Sequence, residues 1–306
     1  MPGSAPVDTP DQAGYVRQIF NDMADEYDHL YDLWYRYQFD AIDRVLVTSC
    51  RPAAPATGAG KPIALDVGCG TGIQSLRLAQ LGYRVNGLDI ADKLVEQARA
   101  KLTSAGYDDG TFVVGDAQQL PFADGFADLV TCCGSTVSLI PDWKRALAEI
   151  ARCLKPGGRF LLDVEGRWTL DLGWDVVNAL LFNVLGYDHT LREAVRSFMP
   201  PWSAGPIFDY PFKLESGESV RMPIKLFTAS ELRRELAAVG LAEERRWGIH
   251  AITNLIPSTV LHDAHPNRVV KAVFSALAAI ERPINGRWPV NTFANSLLAL
   301  ATKQPG

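Results

Sequence analysis

The strongest constraint on the fold is a glycine-rich turn between a strand-like run and a helical run. Residues 65–72 read Leu-Asp-Val-Gly-Cys-Gly-Thr-Gly; they overlap the apolar run Ile63–Val67 and precede the helical pattern Ile73–Leu81. The three glycines let the backbone turn tightly and approach a ligand with no Cβ atom in the way. A helix that begins there offers unpaired N–H groups to a polar or anionic ligand group. We therefore predict a ligand-binding loop at this point.

The loop belongs to a regular alternation of strands and helices. Further strand-like runs occur at Arg84–Leu88, Thr111–Val114, Ala127–Cys132 and Arg159–Val164. Helical patterns occur between them at Ala91–Ser104 and Trp143–Leu154, and the second pattern ends at Lys155-Pro-Gly-Gly158, a strong helix stop. This alternation predicts a parallel sheet with helices on both faces.

We divide the chain into five segments. They are a tail at 1–10, a helical lid with a Pro/Ala/Gly linker at 11–60, a core at 61–165, an aromatic-rich cap at 166–226 and the C-terminal part of the core sheet with extra helices at 227–306. In the lid, the helical spacing of Tyr15, Ile19, Met23 and Tyr27 predicts one helix, and a second helix follows up to residue 49. Beyond the core we predict a helix near 169–185, a hairpin with its turn at 215–218, helices at 228–239 and 268–281, and strands through 247–250 and over 291–302.

The spacing of the glycines indicates which ligand the loop binds. A dinucleotide-binding loop reads Gly-x-Gly-x-x-Gly, whereas here the third glycine comes one residue early and Ile73 follows it. Asp66, ahead of the first glycine, lies outside the dinucleotide pattern and can accept a hydrogen bond from an ammonium group. The loop resembles the first motif of class I S-adenosylmethionine (SAM)-dependent methyltransferases, in particular their small-molecule group of types 11 and 25.

Other motifs continue this resemblance in the expected order. Asp89 ends the second strand, where family members bind the ribose hydroxyls, and Asp116-Ala117 follows the third strand, where they contact the adenine. Leu120-Pro-Phe122, Phe126-Ala-Asp128 and the turn before Phe160 resemble the approaches to the fourth and fifth strands. The resemblance implies SAM as the cofactor, and it implies a doubly wound, mostly parallel, Rossmann-like seven-stranded sheet with an N-terminal helical lid and a cap inserted after the fifth strand. The cofactor-binding residues that it implies are Asp66, Gly68, Cys69, Gly70, Gly72, Asp89, Ile90, Asp116, Ala117 and Cys132.

Several of these residues also have a purely structural interpretation. The glycines could form a plain tight turn, Asp89 could cap a helix and Asp116 could be a solvated loop acid. Cys69 is more simply a small packing residue than a nucleophile, because no histidine adjoins it in the sequence. The same holds for Cys132, which ends the fourth strand.

The methyl acceptor is expected outside the carboxyl ends of the strands, under the lid and the cap. Tyr27 and Tyr31 are four residues apart and would share one helix face, so we predict that they close over the methionyl part of SAM; both could equally be core aromatics of the lid. His250 follows a predicted strand, and we predict that it faces the acceptor cavity as a base. The alternative for His250 is a buried histidine with satisfied hydrogen bonds. The aromatic residues of 166–212 could form the core of the cap, a pocket lining or a dimer surface.

The resemblance implies an enzyme that transfers a methyl group from SAM to the O, N or C atom of a small molecule, such as an apolar or aromatic metabolite of secondary metabolism. Two alternatives stay open. One is a catalytically silent SAM-binding scaffold subunit, and the other is a SAM-fold protein that runs a different reaction, such as a cyclisation. The mass of the product separates them, because methylation adds one CH₂ group.

Charge and composition narrow the partners. The net charge is -5 and no Lys/Arg-rich run occurs, so we predict no nucleic-acid partner. No apolar run approaches the roughly 20 residues of a membrane span, and the N-terminus lacks a signal-peptide pattern, so we predict no membrane association. The 5 cysteines include no CxxC pair, which indicates reduced thiols and a cytoplasmic location. His262 and His265 lack a third ligand, so we predict no metal. A homodimer is left open.

Overall fold

The computed structural model describes residues 12–305 except 26, 30–31, 53–59, 188, 197–206, 214–218 and 264. For residues 29, 196, 207–213 and 219–223 it describes the backbone alone. Tyr31, one of the two tyrosines predicted to close over SAM, therefore lies outside the described residues. The predicted tail at 1–10 and most of the predicted linker do so as well.

The strands form one large sheet and one separate hairpin. Their bounds are β1 (Ile63–Val67), β2 (Arg84–Asp89), β3 (Phe112–Val114), β4 (Ala127–Cys132), β5 (Leu154–Glu165), β6 (Ile207–Lys213), β7 (Ser219–Lys225), β8 (Leu241–Ile249) and β9 (Ser296–Lys303). The large sheet has 7 strands in the order β3-β2-β1-β4-β5-β9-β8. Strands β1 to β5 pair in parallel, whereas β9 pairs antiparallel with both β5 and β8. The predicted fold class, a mostly parallel seven-stranded sheet, is confirmed.

Helices cover both faces of this sheet. Their bounds are α1 (Gln12–Asp22), α2 (Leu33–Ser49), α3 (Ile73–Gln80), α4 (Asp92–Ser104), α5 (Thr136–Leu139), α6 (Trp143–Cys153), α7 (Leu170–Leu180), α8 (Leu191–Arg196), α9 (Ala229–Ala238), α10 (Ser258–Leu261) and α11 (Arg268–Glu281). The buried apolar residues of α2, α3, α4 and α11 share one core cluster, and those of α6 and α9 share the other. In the part of the chain that is described, no helix is long and apolar enough to span a membrane.

The lid helix ends earlier than its apolar spacing predicts. Helix α1 ends at Asp22, and Tyr27 lies in a separate 3₁₀ turn, Tyr27–His29. The side chain of Asn21 binds Asp92 Oδ1 and accepts from the backbone N–H of Lys93, both at the start of α4. These tertiary contacts hold the chain where α1 ends. The prediction of one helix that runs through Tyr27 is wrong.

The cap inserted after β5 contains α7, α8 and the hairpin. The pairing of β6 with β7 runs from 207↔225 to 213↔219, so the predicted hairpin is confirmed. Helix α7 is shorter than the predicted helix near 169–185 because the side chain of Asn178 accepts a hydrogen bond from Leu185 N and donates one to Asn183 Oδ1. The residues that follow α7, Phe182 and Asn183, adopt left-handed backbone conformations with φ of 57° and 63°.

A buried carboxylate, Asp163 on β5, ties the lid to the sheet. Its Oδ2 accepts from Gln38 Nε2 on α2 at 2.7 Å and from Ser296 Oγ on β9 at 3.2 Å, and its Oδ1 accepts from Gly134 N at 2.7 Å. Burial raises the pKa of Asp163 above its usual range, and hydrogen bonds from the residues around it oppose that rise. Asp163 thereby fixes the segment after β4, where Gly134 and Ser135 lie.

The close approach of α3 to α4 requires a glycine at position 72. Gly72 has a φ of +84°, and a Cβ atom on it would lie 2.9 Å from Ala98 Cα. Gly106 has a similar φ of +81° but open space around it. We expect Gly106→Ala to cost about 1 kcal/mol from backbone conformation alone, and Gly72→Ala to cost roughly 1–3 kcal/mol more from overpacking. Urea unfolding of both variants measures the difference, and equal losses would contradict the close-packing explanation.

Candidate functional site

A cleft of about 940 Å³ opens at the carboxyl ends of β1, β2 and β4. The glycine-rich loop lines it between β1 and α3. The N–H groups of Gly68 and Cys69 both donate to the carbonyl of Leu88, at 2.7 and 3.0 Å, so the loop is anchored to the end of β2. Gly68 and Gly70 have φ values of 72° and 50°, in the left-handed region that favours glycine. The loop therefore presents backbone atoms to the cleft.

Asp89, the last residue of β2, lines the same cleft. Its Oδ2 accepts from Gly70 N at 2.9 Å and its Oδ1 accepts from Ala91 N at 2.9 Å. Burial raises the pKa of this carboxyl, and the backbone hydrogen bonds oppose the rise. A carboxylate oxygen has more than one lone pair, so each oxygen can still accept a hydrogen bond from a ligand hydroxyl.

The charges in the cleft distinguish between ligands. Asp89 and Asp116 line it, and none of the described lining residues is Lys or Arg. Such a cleft suits SAM, whose sulfonium and ammonium groups outweigh its single carboxylate, and it disfavours the pyrophosphate of a dinucleotide. Asp116 accepts from Gln118 N and from Gln118 Nε2, both at 2.8 Å, which fixes the loop beside Ala117. The residues present fit SAM, with Asp89 placed to hold its ribose and the glycine loop placed against its methionyl part.

The lid contributes aromatic rings to the cleft. Phe20 and Tyr27 line it and pack edge to face, with 6.1 Å between their ring centroids. The Tyr27 ring lies over the loop, because its Cε1 would be 3.8 Å from a Cβ atom placed on Gly70. Tyr27 lies over the glycine loop, and its predicted closure over the methionyl part of SAM stays a prediction.

Polar contacts latch the lid onto the core. Asp28 Oδ2 accepts from Lys101 Nζ on α4 at 2.7 Å, and Asp28 Oδ1 accepts from the Thr71 hydroxyl in the glycine loop. Arg17 on α1 pairs with Asp92 at 2.9 Å, and both of these side chains are about half exposed. The latch joins the lid directly to the loop that lines the cofactor cleft, so lid position and loop position are coupled.

A second cavity of about 1520 Å³ adjoins the cleft and is lined by residues of the lid and the cap. The two cavities share part of their walls. The residues that line both are Phe20, Tyr27, Phe39, Ile73, Gly134 and Leu139. The second cavity therefore lies directly beside the cleft.

Comparison with known proteins identifies the family of this site. The family model described as a methyltransferase domain matches residues 65–162, from the glycine loop into β5. A ubiquinone/menaquinone biosynthesis C-methyltransferase of Methylobacterium nodulans is 36% identical over 220 residues, which cover 65% of this chain and 82% of that relative. The chain belongs to the class I SAM-dependent methyltransferases. It is thus an enzyme of the methyltransferase class with SAM as its cofactor.

Other relatives of this methyltransferase match over shorter stretches. A demethylmenaquinone methyltransferase of Symbiobacterium thermophilum is 36% identical over 166 residues, which cover 52% of this chain and 62% of that relative. Among solved structures, a putative methyltransferase of Haloferax volcanii in complex with its Trm112 activator aligns with a TM-score of 0.56 at 21% identity over 95% of this chain and 98% of that chain. The [4+2]-cyclase SpnF aligns with a TM-score of 0.58 at 19% identity over 96% of this chain and 97% of that chain. These structural likenesses establish the fold.

The structure corrects the role predicted for Asp66. The side chain is fully buried, and its two oxygens accept from Ser75 Oγ at 2.6 Å and from Thr131 Oγ1 at 2.7 Å. It does not line the cleft, so it is not placed to bind the amino group of SAM directly. Asp66 instead ties α3 to β4 beneath the glycine loop. Burial raises the pKa of Asp66 to about 6, although the hydrogen bonds from the two hydroxyl groups oppose the rise.

Two other predicted cofactor contacts lie away from the cleft lining. Gly72 faces α4 rather than the cleft, and its lack of a side chain allows helix packing. Cys132 is fully buried below the end of β4, and Cys133 and Gly134 line the cleft in its place. Strand side chains alternate between the two faces, so a shift of one residue exchanges them. The other predicted cofactor residues that line the cleft are Gly68, Cys69, Gly70, Asp89, Ile90, Asp116 and Ala117.

His250 does not face the acceptor cavity, and that prediction is wrong. It lies behind Trp34, stacked on the indole at 3.8 Å, and it is 1% exposed. Its Nε2 lies 3.1 Å from Trp34 O and its Nδ1 lies 2.9 Å from Thr253 Oγ1. Burial lowers the pKa of His250 to about 3, so the ring is neutral near pH 7 and cannot serve as a base that titrates there. Helix α2 separates it from the cavity, a contact that local sequence cannot indicate.

The sequence reasoning also missed residues of the acceptor side. Glu165, Asp171 and the pair of Asp175 with His189 line the second cavity. For Glu165 a signal existed: it ends the buried apolar strand β5, as Asp89 ends β2. For the cap residues no such signal exists, because their approach to the cavity depends on how the cap folds over the sheet.

We expect Asp89→Ala to weaken SAM binding by about 1–3 kcal/mol, the loss of a charge-assisted contact to the ribose. Titration calorimetry with SAM measures the change. Asp109→Ala is the matched control, because Asp109 pairs with Lys61 on the surface and does not line the cleft. An unchanged affinity in Asp89→Ala would remove Asp89 from the cofactor site.

The raised pKa of Asp66 predicts a pH-dependent contribution to stability. Between its usual pKa near 4 and its folded pKa of about 6, the folded state holds a proton that the unfolded state has lost. Its contribution to the free energy of unfolding should therefore rise as the pH falls from 7 to about 4, by up to roughly 3 kcal/mol. We expect wild type to gain this amount relative to Asp66→Asn in urea unfolding across that range. Parallel curves for the two proteins would contradict burial as the cause.

Proposed function

We propose that this methyltransferase transfers the methyl group of SAM to a small, ring-containing acceptor that carries a hydroxyl group and no negative charge. One observation carries the proposal: the cavity that adjoins the cofactor cleft is large, and the two share a wall. Direct methyl transfer needs the nucleophile, the methyl carbon and the sulfur in line, with water excluded. Two adjoining cavities under one lid supply that arrangement.

The walls of the second cavity favour a flat apolar body. Trp34, Tyr35 and Phe39 of α2 line it, together with Leu172 of the cap and Ile73 of the core. Aromatic side chains pack well against the faces and edges of ring-shaped ligands.

The polar groups of the same cavity bear on the charge of the acceptor. Glu165, Asp171 and Asp175 line it, whereas none of its described lining residues is Lys or Arg. Bringing an anionic acceptor beside these carboxylates would cost energy that no Lys or Arg of the described lining offsets, and the two histidines of the cavity are already bonded to carboxylates. A neutral phenol or quinol, or a cationic amine, avoids this cost.

The relatives supply a first candidate within this class. The curated proteins from Methylobacterium nodulans and Symbiobacterium thermophilum are named for methylation in quinone biosynthesis, the first of them at carbon. A hydroxylated aromatic ring satisfies both the apolar walls and the charge preference of the cavity. We therefore propose a phenol or quinol as the acceptor class, with ring-carbon methylation as the first reaction to test.

The test is incubation of the protein and SAM with matched pairs of phenols that differ by one carboxylate, read by mass spectrometry. We expect a product one CH₂ heavier than the neutral phenol, and a kcat/KM at least about tenfold lower for its carboxylated partner. A product of unchanged mass would indicate a cyclase-type reaction. SAM binding without turnover of any acceptor would indicate a scaffold, and preferred turnover of the carboxylated phenols would overturn the charge argument.

A further inference from the structure

We propose that Glu165 is the catalytic base, which takes the proton from the acceptor hydroxyl as the methyl group is transferred. The assignment rests on the proposed function and names the group that performs its proton transfer. It is independent of His250, which is buried away from the cavity.

The backbone of Glu165 is held on both sides. Its N–H donates to Ser138 Oγ at 2.9 Å, and its carbonyl accepts from Phe227 N at 2.8 Å. It is also the last residue of β5, the central strand that pairs with β4 and β9. A carboxylate on so fixed a backbone keeps its position when a ligand binds, which a base requires.

The carboxylate itself is oriented by one hydrogen bond. Ser135 Oγ donates to Glu165 Oε1 at 2.7 Å, and Ser135 N donates to Asp163 Oδ2 at 3.2 Å. Glu165 Oε2 has no hydrogen-bond donor in the described part of the chain and belongs to a side chain that lines the cavity. Ser135 has a φ of 58°, a left-handed conformation that is costly for a residue other than glycine. That strained conformation places its hydroxyl on Glu165.

Glu165 lines the second cavity and is bonded to a segment that borders both cavities. The residues that hold it, Ser135 and Ser138, belong to the segment 134–139 after β4, and both Gly134 and Leu139 of that segment line the cleft and the acceptor cavity. The carboxylate therefore lies in the acceptor cavity beside the wall that this cavity shares with the cofactor cleft.

The other polar groups of the cavity are less suited to the task. Asp171 is held by four hydrogen bonds: Tyr187, Asn254 and Ser258 donate to its Oδ1, and Asn295 donates to its Oδ2 at 2.9 Å. The remaining candidates line the acceptor cavity, as Glu165 does, but each of them is hydrogen-bonded to a carboxylate. They are His189, 2.9 Å from Asp175, and His262, 2.7 Å from Asp32.

The electrostatic surroundings suit a base that works near neutral pH. Shielding from water raises the pKa of Glu165 to about 7, and the nearby charges of Asp163 and Asp171 add to the rise. A base with a pKa near the working pH combines the correct protonation state with enough driving force. The charged and titratable side chains of the described residues that share the cavity or its wall with Glu165 are Tyr27, Asp32, Tyr35, Asp163, Asp171, Asp175, Tyr187, His189 and His262.

The step balances without any further reactant. The O–H bond of the acceptor breaks and its proton moves to Glu165 Oε2, while an electron pair of the acceptor forms the new bond to the methyl carbon. At a phenol this pair resides on the oxygen or, by conjugation, on the ring carbon beside it. In the second case the C–H bond at the methylated carbon then breaks, its electron pair restores the aromatic ring, and a proton returns to the oxygen. The carbon–sulfur bond breaks and its electron pair stays on the sulfur. The negative charge of Glu165 and the positive charge of the sulfonium are both neutralised.

The test compares pH profiles of kcat for a neutral phenol, from about pH 5 to about pH 9. For wild type we expect kcat to rise with pH through about 7 and then level off, because the base must be ionised. In Glu165→Gln, kcat should no longer rise with pH through about 7, and it should be about 10²–10⁴-fold lower than in wild type. Glu165→Asp should restore part of the rate. The affinity of Glu165→Gln for SAM, measured by calorimetry, should match that of wild type, because Glu165 does not line the cofactor cleft.

His189→Gln and His262→Gln are the controls. They remove the histidine rings of the cavity, and their kcat should still rise with pH through about 7. A kcat within about twofold of wild type in Glu165→Gln, or a rise with pH that disappears with either histidine instead, overturns the assignment while the proposed function stands. If Glu165→Gln does not fold, a wild-type profile that is flat between pH 6 and 8 also overturns it. If wild type methylates no neutral phenol, the proposed function fails and the assignment fails with it.

Discussion

The structure depends on one backbone constraint, the left-handed turn that joins β1 to α3. Two N–H groups of the turn donate to Leu88 O and a third donates to the carboxylate of Asp89, so the turn locks the ends of β1 and β2 together. Glycine at positions 68 and 70 allows the left-handed backbone of the turn without steric clashes. Glycine at position 72 lets α3 lie against α4. The lid is fastened to the same loop through Thr71 and Asp28. Cofactor cleft, helix packing and lid closure are thus set by one short segment.

A row of buried carboxylates at the carboxyl ends of the strands is the second organising feature. Asp66, Asp89, Asp163 and Glu165 all lie there, and burial raises the pKa of each. Every one of them accepts hydrogen bonds from neighbouring backbone or hydroxyl groups, which offsets part of the cost of burial. Asp66 and Asp163 use those bonds to join helices and loops to the sheet. Asp89 and Glu165 line the two cavities, where a positively charged cofactor and a hydroxyl group suit them.

The features that the sequence predicted correctly depend on residues close together in the chain. The glycine loop, the strand–helix alternation and the position of Asp89 each follow from a few adjacent residues and from steric rules that act over one turn. The position of single side chains was less predictable. Cys132 is the last residue of β4 and Cys133 directly follows it, and of these two neighbours only Cys133 lines the cleft. Asp66 lies two residues before the first glycine of the loop, yet its side chain is buried and accepts hydrogen bonds from Ser75 and Thr131.

The sequence by itself determined the family, the sheet and the cofactor loop, because these are encoded by spacing within short segments. Only the tertiary structure decided the acceptor site. Its wall is assembled from α2, the segment after β4, the end of β5 and the cap, which lie far apart along the chain. Packing of α2 buries His250 behind Trp34, whereas Ser135 and Ser138 hold Glu165 at the cavity. Contacts between distant segments thus decide which titratable groups line the second cavity, and among these groups only Glu165, the last residue of a buried strand, was marked by a local pattern.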